Sequence, residues 1–180
     1  KEYRRQRQMC IRDSPDDDAS ALAPSSGIYA YTFAAPCATR ADDRHDPRFG
    51  NIFNVVNEAD IVTQLPLSSW GFGRYGSTIT LPSTVSVDFD DSYAIVQTAY
   101  QRNTGYALGC DEDDFATLST FGSTASTRVP TLDALVSPLG IVGAVQSLLG
   151  LDLSAALTAH YPDTYIAWMQ AGAADQPASA

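Results

Sequence analysis

Apolar residues fall in short dense runs in the first half of the chain and in longer, helically spaced sets in the second. Ile28 to Phe33 (IYAYTF) is a run of β-branched and aromatic residues stopped by Ala34, Ala35 and Pro36. Its composition and length predict a buried strand. Asn51 to Val56 (NIFNVV) predicts a second buried strand, closed by Asn57, Glu58, Ala59 and Asp60. Tyr75 to Leu81 (YGSTITL) alternates well enough for a third, ended by Pro82. Between the first two strands, Thr39 to Gly50 is polar and charged, as in a long loop or a short irregular helix.

Beyond Pro82 the period changes. Asp90-Asp91-Ser92 reads as a cap for a helix over Tyr93 to Asn103, with Gly105 as its stop. The acidic run Asp111 to Asp114 fits the start of a short helix, because negative charge is favoured at that end. Thr131-Leu132-Asp133 opens a helical stretch to about Leu149, and Leu153 to Ala159 adds a further turn or two. Pro162 and Asp163 then begin a helix through Gln170, with Pro where its missing N–H costs nothing. Strands early and helices late place the chain in the α/β class. A parallel sheet needs crossovers and covered faces, and these few strands fall short of a complete domain. Missing N-terminal strands would account for the imbalance.

Charge divides the 180 residues into two unlike parts. Residues 1 to 14 (KEYRRQRQMCIRDS) hold five basic and two acidic residues, whereas the remainder holds six basic and nineteen acidic ones. A body of net charge −13 repels phosphate backbones, which argues against nucleic-acid binding. The basic segment has no apolar h-region and so is not a signal peptide. Its string RRQRQMCIRDS resembles translated sequencing adapter of the kind met at the ends of metagenomic gene fragments; a basic binding arm is the alternative. We expect residues 1–14 to be non-native, 15–27 (acidic, rich in Pro, Ser and Ala) to be a loop or linker, 28–172 to form the domain, and 173–180 to be a disordered tail. The apolar stretch Leu135 to Leu153 is interrupted by Pro138, Gly140, Gly143 and Gly150, so no transmembrane segment is expected. Cys37 and Cys110 belong to no CxxC or metal-spaced cluster and read as two small buried thiols, with a disulfide not indicated. No metal or cofactor is expected.

Three residues carry candidate chemistry. Asp60 follows directly on a predicted strand, and catalytic groups of open α/β sheets sit at the carboxyl ends of strands. Position alone admits two roles: a carboxylate that fixes a histidine tautomer, or an Asx-turn residue capping its loop. His160, in TAHYPDTYIAWM, lies at the junction of two helical stretches. It reads either as a loop base aimed at the sheet edge or as a helix-flanking residue bonded to the last carbonyls. His45, between Asp43 and Asp46, reads as a solvated surface imidazole. The order Asp then His is that of α/β-hydrolases, whose nucleophile elbow G-x-S-x-G lies upstream of the acid. No such elbow is present. Gly122-Ser123 and Gly76-Ser77 lack a second Gly at the right spacing and follow Asp60, while Ser25-Ser26-Gly27 lacks the leading Gly.

Three segments then suggest a family. YTFAAP (Tyr31 to Pro36) resembles the TFGxP-like strand end of class 3, fungal-lipase-like lipases. NIFNVVNEADIVTQLPLSSWGFGRYGSTITLP (Asn51 to Pro82) resembles that family's N-x-x-D-x-V-P-x-L-P segment, and HYPDTYIAWM its H-x-x-x-x-Y block. The resemblance covers 28–82 and 158–170 well and 83–157 poorly. Thr63 and Gln64 depart from it where the family often has Pro. It implies the C-terminal portion of an α/β-hydrolase fold, with Asp60 and His160 as acid and base of a triad whose serine is absent. It also implies an acyl-ester or lipid substrate. Leu65, Leu67, Trp70 and Phe72 then become either an acyl pocket or ordinary packing under a loop, and 83–157 a region where lid insertions are tolerated. Two other readings stay open: a non-catalytic interaction module of the same fold, and a thioesterase or peptidase with the same triad.

Overall fold

A computed structural model describes residues 27–40 and 46–174. The basic segment 1–14, most of the expected linker, His45 and the last six residues lie outside the described residues. A three-stranded parallel sheet has the order β1 (Ala30–Phe33), β3 (Ile52–Val56), β5 (Ser77–Thr80). A second, antiparallel pair joins β2 (Thr39–Arg40) to β4 (Phe72–Gly73). Among the described residues, the connections between the parallel strands hold turns and two 3-10 segments, Pro47–Phe49 and Ser68–Trp70, and no α-helix.

All the α-helices follow the sheet: α1 (Phe89–Thr104), α2 (Glu112–Ser119), α3 (Phe121–Arg128), α4 (Leu132–Leu135), α5 (Pro138–Leu148), α6 (Leu153–His160) and α7 (Pro162–Ala174). The chain is thus a mixed α/β protein in which helix predominates. α1 and α7 pack along each other and share one core with Val55 and Leu81 of the sheet region. At its centre the rings of Phe89, Tyr93, Phe115 and Trp168 meet with centroids 4.9 to 6.3 Å apart. That spacing is typical of favourable tilted and edge-on ring contacts. α1 is therefore a core helix and not a lid. A smaller core lies elsewhere, where Leu67 packs against Phe121 and Ala125 of α3.

Local signals explain most boundaries. Asp111 caps α2 in a reciprocal capping box with Asp114, each accepting the other's backbone N–H. Gly105 ends α1 at φ 80°, in the left-handed region. α1 starts at Phe89, so Asp90 and Asp91 sit in its first turn beside the positive end of the dipole; they are not its cap. The stretch from Thr131 to Leu149, expected as one helix, is two: Ser137 accepts from Gly140 N–H and restarts the helix with Pro138 in its first turn.

Two expectations needed tertiary correction. β1 was expected to be buried, yet Tyr31 is 64% and Phe33 49% exposed. β1 is an edge strand: Ala30 and Ala34 N–H donate across to Asn51 and Val55 carbonyls, which turns the amides of Tyr31 and Phe33 to the open side. β3, between two partners, is the buried one. The helix α3 (FGSTASTR) was not expected, because Gly, Ser and Thr are weak helix formers. It is held from outside, by Gln64 Oε1 accepting Gly122 N–H at 2.6 Å and by Phe121 and Ala125 packing on Leu67. No single helix among the described residues is long and apolar enough to cross a membrane; α5 and α6, apolar enough as a pair, meet at a 78° bend.

Candidate functional site

β3 is the central strand, and the turn after it is built almost wholly from its own polar groups. Asp60 N–H donates to Asn57 O, and Thr63 N–H donates to Asp60 O. The Asn57 amide accepts Ala59 N–H at 3.1 Å, and the Thr63 hydroxyl donates to Asp60 O at 2.8 Å. Gln64 Nε2 ties the turn to the carbonyls of Glu58 and Leu118. Arg74 Nε reaches Ala35 O at 2.6 Å, and its Nη2 bonds Thr63 O. The chain leaves the turn through a cis Leu65–Pro66 peptide.

This scaffold fixes Asp60, which is fully buried. Its Oδ1 accepts Val62 N–H at 3.0 Å, so the Asx-turn role holds. The carboxylate also faces His160, whose Nδ1 lies 3.1 Å from Oδ1 and 3.0 Å from Oδ2. One side chain thus makes the Asx turn and also lies in contact with an imidazole nitrogen. The sequence separates the two residues by 100 positions, and the fold brings them into contact.

His160 is the last residue of α6 and not a loop residue. The alternative role for His160, bonding the preceding carbonyls, is filled by other groups. Tyr161 N–H takes Thr158 O, and Asn57 Nδ2 donates to Ala159 O at 3.2 Å. The His160 side chain is 36% exposed against 0% for Asp60, so the ring reaches from a dry carboxylate toward solvent.

A third side chain joins the pair. Tyr165 of α7 is 2% exposed, donates its hydroxyl to Asp60 Oδ2 at 2.8 Å and accepts Asn57 N–H at 3.1 Å. Burial, reinforced by the charge of Asp60, pushes its phenol above the ordinary tyrosine range, so it remains a donor. Neither Tyr165 nor Asn57 was singled out from sequence as a site residue. A signal was present, since both fall on named positions of the motifs quoted above.

A carboxylate on Nδ1 holds that nitrogen protonated and leaves Nε2 as the basic lone pair. The arrangement can accept a proton at Nε2 and stabilise the resulting imidazolium. Among the described residues, no hydroxyl hydrogen-bonds Nε2, and no group of three His, Cys, Asp or Glu could hold a metal ion. Leu67 is buried against α3, with Leu65 and Trp70 partly buried beside it, and Trp70 Nε1 donates to Val129 O at 2.8 Å. Those side chains do the packing of the small second core. The two described cysteines are free and buried, and burial pushes the Cys110 thiol up to about 11.

What the fold and site define is a buried carboxylate–imidazole pair at the carboxyl end of a central parallel strand. Comparison with family models, with curated proteins and with solved structures finds no match in any of the three.

Proposed function

We propose that Asp60 and His160 are the acid and base of a serine hydrolase cleaving acyl esters, a lipase- or esterase-type enzyme of class 3 lipase character. In this reading the described strands and helices are the C-terminal portion of an α/β-hydrolase fold. The nucleophile and oxyanion hole come from a segment other than the residues described, because no G-x-S-x-G elbow occurs in the sequence. The observation that carries the reading is the 3.0 Å contact between His160 Nδ1 and the buried Asp60 carboxylate. The placement of that carboxylate after β3 supports it, since such sheets gather their reacting groups at strand carboxyl ends. So does the edge of β1 that has no strand partner among the described residues, whose outward amides can take a further parallel strand.

Catalysis would run as follows. Nε2 of His160 removes the proton of the serine hydroxyl as its oxygen bonds to the ester carbonyl carbon, then delivers that proton to the leaving alcohol. Water repeats the sequence to release the acid. Asp60 orients the ring and stabilises the imidazolium. A fluorophosphonate probe tests this on the polypeptide translated from the coding sequence extended upstream. Labelling of one elbow serine that is lost in His160→Gln supports the reading. An upstream sequence without an elbow overturns it and leaves an interaction module, and labelling that is indifferent to His160 overturns the assignment of His160 as base. The 180-residue chain alone is expected to take no label.

A further inference from the structure

We propose that Tyr165 is a positioning residue for the Asp60–His160 pair, orienting the carboxylate through a hydroxyl that Asn57 in turn orients. The inference rests on reading that pair as an acid–base unit.

A free aspartate carboxylate can turn about two side-chain bonds, and an imidazole held by it would turn too. Asp60 has no such freedom. Val62 N–H pins Oδ1 at 3.0 Å, and the Tyr165 hydroxyl pins Oδ2 at 2.8 Å. The plane of the carboxylate is then fixed by two donors from different elements, and the remaining lone pairs face His160 Nδ1. The turn alone supplies only the first donor. The second comes from α7, and it is what ties the far helix to the reacting pair.

The direction of that hydroxyl is itself determined. Asn57 N–H donates to the phenol oxygen at 3.1 Å and occupies one lone pair, so the phenol's own proton is left to point at Asp60. Asn57 N–H donates to Tyr165 Oη, Tyr165 O–H donates to Asp60 Oδ2, and the Nδ1–H of His160 donates to the same carboxylate. The Asn57 bond polarises the phenol and strengthens its donation to Asp60 in such a dry setting. Asn57 closes the loop from the other side, because its Nδ2 holds Ala159 O, the carbonyl immediately before His160. One residue at the end of β3 thus sets both the partner of the carboxylate and the backbone that carries the imidazole.

The test uses the 180-residue chain and needs no turnover. The His160 Nδ1 proton, held by a buried carboxylate, is expected as a downfield resonance in 15N-edited NMR, assigned by its loss in His160→Gln. Tyr165→Phe removes one oxygen and keeps the ring. Exchange of that proton with water is expected to quicken at least about tenfold, the effect of one hydrogen bond. Tyr93→Phe is the matched control: it too deletes a buried hydroxyl, one that donates to Cys110 O at 2.7 Å and lies outside the relay. Exchange there is expected to stay within about twofold of the parent. Equal acceleration in both variants would show that Tyr165 acts only through general stability, and an unchanged Tyr165→Phe would show no role. Absence of the resonance in the parent would mean that the pair is not held at all. Each of these three results overturns the proposal. Failure of the hydrolase reading shows separately, as an extended protein that the fluorophosphonate does not label.

Discussion

Replacing Asp60 by Asn removes a charge and adds two hydrogens without changing shape, and the surroundings determine the cost. The carboxylate accepts Val62 N–H at 3.0 Å and the Tyr165 hydroxyl at 2.8 Å, one on each oxygen. An amide has one acceptor oxygen and one donor nitrogen. If the oxygen faces Val62, the new NH2 meets Tyr165, whose oxygen already accepts Asn57 N–H. That oxygen can take a second N–H only by leaving its own proton without an acceptor. If the amide is turned over, Val62 N–H is the group stranded. Tyr165 is 2% exposed and Asp60 fully buried, so water is not at hand to repair the loss at the phenol. One stranded buried donor costs roughly 1 to 3 kcal/mol. With a urea slope of about 1 to 3 kcal/mol per M, the unfolding midpoint of Asp60→Asn should fall by about 1 M. The assay is urea denaturation followed by circular dichroism. A midpoint within error of the parent would refute the reasoning, because it would mean that these donors do not meet the carboxylate.

Three other outcomes follow from the fold. Phe115→Ala should cost about 3 to 5 kcal/mol, because the ring is 1% exposed at the centre of the aromatic core; a loss under 1 kcal/mol in the same assay would contradict that packing. Gly76→Ala should destabilise by well over about 1 kcal/mol, since φ is +78° and the new Cβ would sit 2.2 Å from Ile52 O, and an unchanged melting temperature would refute the turn. Stability should also fall at alkaline pH. Burial raises Cys110 from 9.0 to about 11 and raises Tyr93 and Tyr165 above 10.0, so the folded state keeps protons that the unfolded chain gives up. That contribution is fully present below pH 9 and is lost as pH rises through the folded values, by about 1.4 kcal/mol per pH unit for each group engaged. Flat stability from pH 9 to about 11 would count against it.

The strand Ile52–Val56 and the carboxylate after it were legible because the signal is local: an apolar run, then a polar turn that ends it. Asp111 and Pro162 marked helix starts for the same reason, a cap and a pre-set φ. The pairing of Asp60 with His160 was suggested only by order along the chain and by resemblance, and the contact itself is set by how α6 returns to the sheet. Burial of β1 was not legible, because whether Tyr31 is covered depends on what flanks the strand and not on its composition. The helix Phe121–Arg128 was hidden because Gln64, far away in sequence, supplies the bond that holds its first turn. Tyr165 entered only as the last position of the H-x-x-x-x-Y block; its hydroxyl has meaning only beside a carboxylate 105 positions earlier.

The central claim is that Asp60 and His160 act together as the acid and base of ester cleavage. The most direct measurement is kcat/KM for a short-chain p-nitrophenyl ester by the upstream-extended polypeptide, the parent against His160→Gln and Asp60→Asn. Turnover is expected in the parent and a loss of about 10⁴-fold in each variant, with folding retained. Turnover that survives either substitution, or turnover by the 180-residue chain without any added segment, would contradict it.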